Sequence, residues 1–448
     1  MDRDHTNKIS DEYSDVQTET RLDGMPSWPA RELAAEFFNG NTKRPGFDKP
    51  FMWLALVLLM IGLVMVFSAS FASANYLSGN PLRFFSRQLV FAISGVALML
   101  IVSRVSVRTM SRWSSHLLLI SIALLILVLI IGVTVNGARR WMGIGGESSS
   151  LSFQPSEIAK LAIILAYAQM ICKFGVRRMK SLKFGVVPFL FISVIIILLL
   201  SQQPHLSAAI IITALTAVMM FAGGTRLRWF LSAGLAATLL ALLLLFPNIL
   251  STARESGLQS AIEQVSRQEI DVSKLGYAGR RISAWIDPEA DPLGDGFQIR
   301  QSLYAVGSGG WLGLGLGQSR QKYLYLPEEH NDYIFAIVCE ELGFIGAMLI
   351  LMLFVLLIVR GFWLAMHAND KYSSLIVIGI TSLLALQVFL NVAVVLNLIP
   401  ATGISLPFFS YGGTALWIQL VQIGIVLAVS RNIPPYKDGG KEELEGES

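Results

Sequence analysis

The chain has 448 residues, of which 54% are hydrophobic and only 15% charged, with a formal net charge of +4. So much apolar surface cannot be hidden inside one water-soluble core, which excludes an ordinary soluble domain and makes lipid the solvent. The basic excess does not point to nucleic acid, because Lys and Arg collect in short links between apolar blocks, as a membrane topology signal does.

Residues 1–48 are polar, with Asp2, Arg3, Asp4, Glu12, Asp15 and Glu19, and lack the basic, apolar, small-residue order of a cleavable signal peptide. They are expected to form a largely disordered cytoplasmic tail. The apolar blocks that follow have membrane-spanning length and show none of the short alternation of a transmembrane barrel. The sequence therefore predicts an all-α polytopic membrane protein with about ten transmembrane helices. They fall near 51–74, 87–103, 115–135, 157–172, 185–202, 206–223, 229–248, 333–359, 373–399 and 414–430. The transmembrane domain covers 49–430, and a second polar tail covers 431–448. Cys172 and Cys339 lie far apart in or near predicted helices and suggest neither a disulfide nor a thiolate metal cage.

With the N-terminus in the cytoplasm, the clusters Arg104, Arg108 and Arg112, then Lys173, Arg177, Arg178, Lys180 and Lys183, then Arg226 and Arg228, then Arg360 and Lys371 all fall inside. The C-terminus is then cytoplasmic too. One large extracytoplasmic loop, 249–332, separates helices 7 and 8, and Arg83, Arg87, Arg139 and Arg140 are basic exceptions on the outside. A loop of this length among short links points to function. Its first part, 251–273, reads as a polar surface helix, and 280–326, rich in Gly, aromatics and isolated charges, as a structured binding loop near the bilayer.

The loop ends in Leu326-Pro-Glu-Glu-His-Asn-Asp-Tyr-Ile-Phe335, which packs Glu328, Glu329, His330 and Asp332 together. Neighbouring residues on one short turn rarely converge on a metal. Helix capping by Asn331 or Asp332 and catalysis both remain open at this point. Helical steps from Asp332 bring Ala336, Glu340, Gly343 and Phe344 to one side, with Glu340 about 12 Å deeper. Glu341 adjoins it, and buried intramembrane carboxylates need partners. Arg139, Arg140 and Lys160 are the cations expected to supply them.

Gln154-Pro-Ser-Glu157 reads as a helix start, with Glu157 and Lys160 spaced as an i, i+3 pair. Arg139 and Arg140, placed outside against the charge trend, suit an anion such as a lipid phosphate. Gly309-Gly-Trp-Leu-Gly-Leu-Gly-Leu-Gly317 has neither dinucleotide spacing nor a Walker lysine, which leaves a flexible or re-entrant loop. Leu406-Pro-Phe-Phe-Ser-Tyr-Gly-Gly-Thr414 reads as a re-entrant hairpin able to shape a groove for a lipid tail.

Five motifs in this order resemble the SEDS proteins (shape, elongation, division and sporulation), the FtsW and RodA group, over about residues 51–430. They are Asn136-Gly-Ala-Arg-Arg-Trp141, Gln154-Pro-Ser-Glu-Ile-Ala-Lys160, Asp291-Pro-Leu-Gly-Asp-Gly-Phe-Gln-Ile-Arg-Gln-Ser302, the Leu326–Phe335 segment and Leu406-Pro-Phe-Phe-Ser-Tyr-Gly-Gly413. The resemblance implies a peptidoglycan glycosyltransferase that polymerises lipid II at the outer face of the bacterial cytoplasmic membrane, with a class B penicillin-binding protein and other division proteins as partners. It matches Asp332 to the family's catalytic aspartate. Substrate-binding roles are expected for Arg139, Arg140, Lys160, Gln298 and Gln301, and supporting roles for Glu157, Glu328, Glu329, His330, Glu340 and Ser410. Met65-Val-Phe-Ser-Ala-Ser70 and the long N-terminal tail look more like the division or sporulation branch, hence a septal location, than the elongation branch.

One departure stands out. Where the family often has Gln-Pro-Asp-Leu-Gly, this chain reads Gln203-Pro-His-Leu-Ser207, so His205 is either a satisfied histidine at a helix start or a polar cavity residue. The implied chemistry needs one base, Asp332, acting on the acceptor sugar's 4-hydroxyl with inversion at the donor's anomeric carbon, while Arg139, Arg140 and Lys160 hold the diphosphate. No cofactor is firmly implied. A divalent cation bridging the diphosphate is compatible with this chemistry, although no all-protein metal site is evident. A flippase for lipid-linked precursors, a non-catalytic division scaffold and an elongation-type polymerase are the alternatives.

Overall fold

The computed structural model describes residues 46–135, 138–143, 152–203, 205–232, 277–289 and 294–433. Most of both expected tails, the bulk of the expected seventh span and the expected surface helix at 251–273 lie outside the described residues.

Local signals set the helix ends. Asp48 caps α1 (Lys49–Ser78) by accepting from Phe51 N at 2.9 Å, and Gly79 closes it in the left-handed region at φ 64°. After α2 (Arg83–Val102), Ser106 caps α3 (Val107–Ile131) through Thr109 N. α4 (Pro155–Met179) opens with Pro155 and Glu157 and closes with Arg177 and Arg178, each charge at the dipole end that favours it. The short α5 (Leu182–Gly185) leads into α6 (Val187–Ser201), and α7 (Leu206–Ala222) follows. Two loop helices, α8 (Tyr277–Ile286) and α9 (Asp295–Ser308), precede α10 (Ile334–Met366), α11 (Lys371–Val395) and α12 (Gly413–Ser430).

Eight of the described helical segments, with α5 and α6 taken as one, are long and apolar enough to cross a membrane, and α7 is a shorter apolar helix. The chain is a polytopic, mostly helical membrane protein. α4, α11 and α12 bury 61%, 67% and 72% of their apolar stretches, against 28% for α2, α3 and α10. The first three therefore form the centre. The others wrap it and turn Ile93, Leu119, Met348 and Met352 outward, as lipid-facing helices do. Close pairings are α2 with α12, α3 with α4, α10 with α11, and α1 with both α10 and α2.

Two features depart from the sequence expectation. First, a small antiparallel sheet, order β1-β2-β3, joins α3 to α4 through β1 (Val133–Val135), β2 (Ala138–Gly143) and β3 (Ser152–Phe153). Strands this short carry no readable period, and Thr134 faces Arg139 across the first pairing. Second, α10 is broken at Gly343, where φ 67° and ψ −172° lie outside helical space.

At that break two backbone ladders exchange partners. Within a regular helix Phe344 N and Ile345 N would donate to the carbonyls of Glu340 and Glu341. Instead Phe344 N donates to Gly310 O and Ile345 N to Trp311 O, while Glu340 O and Glu341 O accept from Leu314 N and Gly315 N at 2.9 and 3.0 Å. The Gly309–Gly317 segment is thus inserted into the break. A Cβ on Gly313 would collide with the Glu341 carbonyl and one on Gly343 with Gly313 N, so both glycines are required by close backbone approach.

Helix direction then sorts the polar groups between two ends. At one end a buried ion pair of Arg360 with Asp48, and a bond from Asp48 N to Ser430 Oγ at 2.9 Å, tie α1, α10 and α12 together. Asp332 lies at the other end.

Candidate functional site

The segment leading to Asp332 is held from several sides. Gln298 of α9 donates to Pro327 O at 3.2 Å, and Gln301 lies one turn further along the same helix, partly buried. Glu328 adopts φ 56° and forms a tight turn in which its carbonyl accepts from Asn331 N and its carboxylate from Asn331 Nδ2. Glu329 is buried against His330 Nδ1 at 3.2 Å and also meets Ser73 of α1. Burial pushes the Glu329 carboxyl up, but the His330 ring and the Ser73 hydroxyl outweigh it and hold the group below the usual carboxylate range. The His330 ring packs on Phe84 and Tyr411, with centroids 4.7 and 5.7 Å away.

Three successive carbonyls are then pinned. His330 O accepts from Tyr411 N at 2.8 Å, Asn331 O from Ser410 Oγ at 2.8 Å, and Asp332 O from Asn391 Nδ2 at 2.7 Å. Ser410 Oγ also accepts from Leu406 N, and Asn391 Nδ2 also donates to Ile404 O. The 406–414 segment therefore acts as a buttress. Its Phe408 and Phe409 are buried in the core, and Gly62 of α1 allows the Phe408 carbonyl to approach closely, so these rings do not line the expected lipid groove. Asn391 was not singled out from the sequence, although an amide within the apolar run 375–398 is the kind of signal that marks function.

The Asp332 carboxylate sits beside Gly403, which adopts φ 73°; a Cβ there would stand 3.1 Å from Oδ2. Burial, and then the charge of Glu328, raise its pKa from 3.8 to about 6 against the opposing pull of Arg281, Arg140 and His330. Arg281 is a second residue the sequence reading missed. It projects from α8 and donates to Ala401 O at 2.7 Å, while Trp285 Nε1 anchors the same helix to Asn397 O at 3.0 Å. Its signal was a basic residue in an amphipathic stretch on the side where positive charge is scarce.

The basic pair divides. Consecutive strand residues point to opposite faces, so Arg139 is exposed while Arg140 is partly buried and donates to Gln203 O at 3.2 Å. Arg140 is the one whose charge bears on Asp332 and on His205. Lys160 is buried against Glu157 at 2.7 Å, the i, i+3 pair its spacing suggested, with Glu157 in the first turn of α4. His205 is buried at the start of α7, with its Nε2 3.3 Å from the side-chain nitrogen of Gln154. Burial, then Arg140 and Lys160, push its ring down to about 3, so it is neutral at physiological pH.

Glu340 and Glu341 find different partners from those expected. Glu340 accepts from Ser319 Oγ, Arg320 N and Gln321 N, and Glu341 from Lys322 Nζ at 2.9 Å, Ser68 Oγ and Ser319 N. Arg139, Arg140 and Lys160 take no part in these bonds. The loop itself brings the counter-charge, Lys322, which is buried with the carboxylates. This cluster locks 319–322 onto the upper turn of α10, ten residues ahead of Asp332.

Residues 49–433 match the FtsW, RodA and SpoVE family, described as cell cycle protein. The chain is 42% identical over 393 residues to the stage V sporulation protein E of Bacillus subtilis, covering 87% of this chain and 99% of that one. It is 38% identical to a probable peptidoglycan glycosyltransferase FtsW of Trichlorobacter lovleyi, covering 88% and 96%. Among solved structures, a chain of a peptidoglycan synthase complex that coordinates polymerization and crosslinking superposes with TM-score 0.67 at 28% identity, covering 88% of this chain and 99% of that chain. The rod shape determining protein RodA of Thermus thermophilus gives 0.59 at 26% identity, covering 86% and 97%.

Proposed function

The chain belongs to the FtsW, RodA and SpoVE family of cell cycle proteins, and on that premise we propose that it polymerises lipid II into β-1,4 glycan strands at the outer face of the cytoplasmic membrane. The observation that carries this reading is Asp332. Its carboxylate is raised to about 6, its backbone is bonded on three successive carbonyls, and cations from β2 and α8 act on it.

Such a group is poised as a base near neutral pH. The acceptor's 4-hydroxyl oxygen bonds to the donor's anomeric carbon, its proton passes to the Asp332 carboxylate, and the bond from that carbon to the diphosphate oxygen breaks. Attack opposite the leaving group inverts the α-linked donor to a β-glycoside. The departing undecaprenyl diphosphate takes up the electron pair, so no second carboxylic acid is needed. Among the described residues no three His, Cys, Asp or Glu side chains gather as a metal site. The developing phosphate charge is assigned to Arg140, with Arg281 beside it and Arg139 at the exposed rim. Gln298, Glu328, Glu329, His330 and Ser410 hold the base in place, and Lys160 with Glu157 fixes the start of α4.

Glycosyltransferase naming of relatives at 33–38% identity supports the reaction class. The partner is proposed to be a transpeptidase of the class B penicillin-binding type, in keeping with the synthase complex named above. The cell context is proposed to be the septum, in keeping with the family's description as cell cycle protein and with relatives named FtsW and stage V sporulation protein E. The test is to supply lipid II to the purified protein with its transpeptidase partner and resolve the products by size. Glycan polymer is the expected result. Transbilayer movement of lipid II in vesicles without any polymer would instead establish a flippase.

A further inference from the structure

We propose that His205 binds substrate phosphate, donating its ring Nδ1–H to a diphosphate oxygen at a site formed where the N-termini of α4 and α7 meet. The inference rests on the polymerase reading above and adds a contact used for binding rather than for proton transfer.

His205 is the N-cap residue of α7 and Gln154 that of α4, and neither side chain caps its own helix. Their contact at 3.3 Å therefore brings together two helix starts that no N-cap side chain caps. Helix N-termini of this kind attract anions. Arg140 and Lys160 bring two cations to bear on His205, and Lys160 is paired with Glu157.

Within this setting the imidazole is a donor in need of an acceptor. We assign the neutral ring the Nδ1–H tautomer, which lets Nε2 accept from the Gln154 amide nitrogen that faces it. His205 is only 7% exposed, and its Nδ1 has no hydrogen-bond partner among the described residues. Ser156 Oγ, in the first turn of α4, is likewise buried without a partner. Buried polar atoms in native proteins are nearly always bonded, so two such atoms at one pair of helix ends call for a ligand. Phosphate, which offers only acceptor oxygens, satisfies the ring N–H, the serine hydroxyl and the helix ends together. Arg140 acts on both His205 and Asp332 and so links the proposed phosphate contact to the catalytic carboxylate.

The experiment compares His205→Leu, which removes the donor, with His205→Asn, which keeps a neutral N–H donor. Lipid II polymerisation kinetics and direct binding of undecaprenyl diphosphate are measured on purified, thermally characterised protein. His205→Leu should raise KM and weaken undecaprenyl diphosphate binding by about tenfold or more, the size expected for a bond to a charged group. His205→Asn should recover most of the binding. Unchanged affinity in folded His205→Leu, or equal loss in both variants, would overturn the assignment. If the wild-type protein makes no polymer, the polymerase reading fails on its own, and the binding comparison still judges the phosphate site. Should His205→Leu not fold, His205→Asn alone decides: retained affinity agrees with the proposal, and a tenfold loss in folded protein contradicts it.

Discussion

Asp332 shows how one residue is tuned by its surroundings. A carboxylate in water is a weak base at neutral pH; burial and the nearby Glu328 strengthen it, while Arg281 and Arg140 limit the rise. The sign follows directly. The ionised base is present above about 6 and is lost as pH falls through that value, so kcat/KM for polymerisation should fall about tenfold per pH unit on the acid side. Initial rates between pH 4.5 and about 8 test this; a rate that stays level down to pH 4.5 would mean the raised carboxyl is not the base. The acidic cluster and the catalytic candidate were legible in the sequence because they are contiguous. Asn391 and Arg281 were not, since each meets Asp332 only through tertiary structure, from about 60 and 50 residues away along the chain. The division of labour between Arg139 and Arg140 was hidden for another reason: it depends on the strand β2, whose neighbouring residues face opposite ways.

Among the elements, the broken helix α10 is the most informative. Its apolar run is continuous enough to read as one unbroken span, so the sequence placed Glu340 and Gly343 on one helical face. Gly343 interrupts that face and admits the Gly-rich loop, and the loop's Lys322 and Ser319 satisfy the two carboxylates. Runs of long apolar residues made the spans legible to within a few residues at most ends. The break was not, because glycine within a membrane helix is common and reveals its purpose only against its partner backbone. Substitution supplies the check. Gly343→Ala forces a Cβ into Gly313 at a φ that alanine rarely adopts, a strain of about 3 kcal/mol or more. Its thermal midpoint and polymer yield should both drop, whereas Gly307→Ala, which meets no neighbouring atom within 4 Å, should behave like the wild type. Equal stability of the two variants would show that the inserted loop is not fixed by backbone contact.

At the scale of the whole molecule, the helix directions separate a basic end, with Arg104, Arg108, Arg112 and Arg360, from an end where Asp332, Arg140, Arg281 and His205 lie together. Positive charge marks the cytoplasmic side of membrane proteins, so the account assigns the chemistry to the outer side, where lipid-linked sugars and a transpeptidase partner would meet. The elements around Asp332 are anchored to one another by hydrogen bonds from Gln298, Asn391, Ser410 and Tyr411. The central claim is that Asp332 is the base of an inverting polymerisation. Its most direct test is to compare wild type and Asp332→Asn, each purified with the same partner and matched for folding by thermal melting, in glycan synthesis from lipid II. The account predicts β-linked polymer from the wild type and a loss of at least about a thousandfold in rate for the variant. Polymer formation by folded Asp332→Asn at a rate near that of the wild type would contradict it.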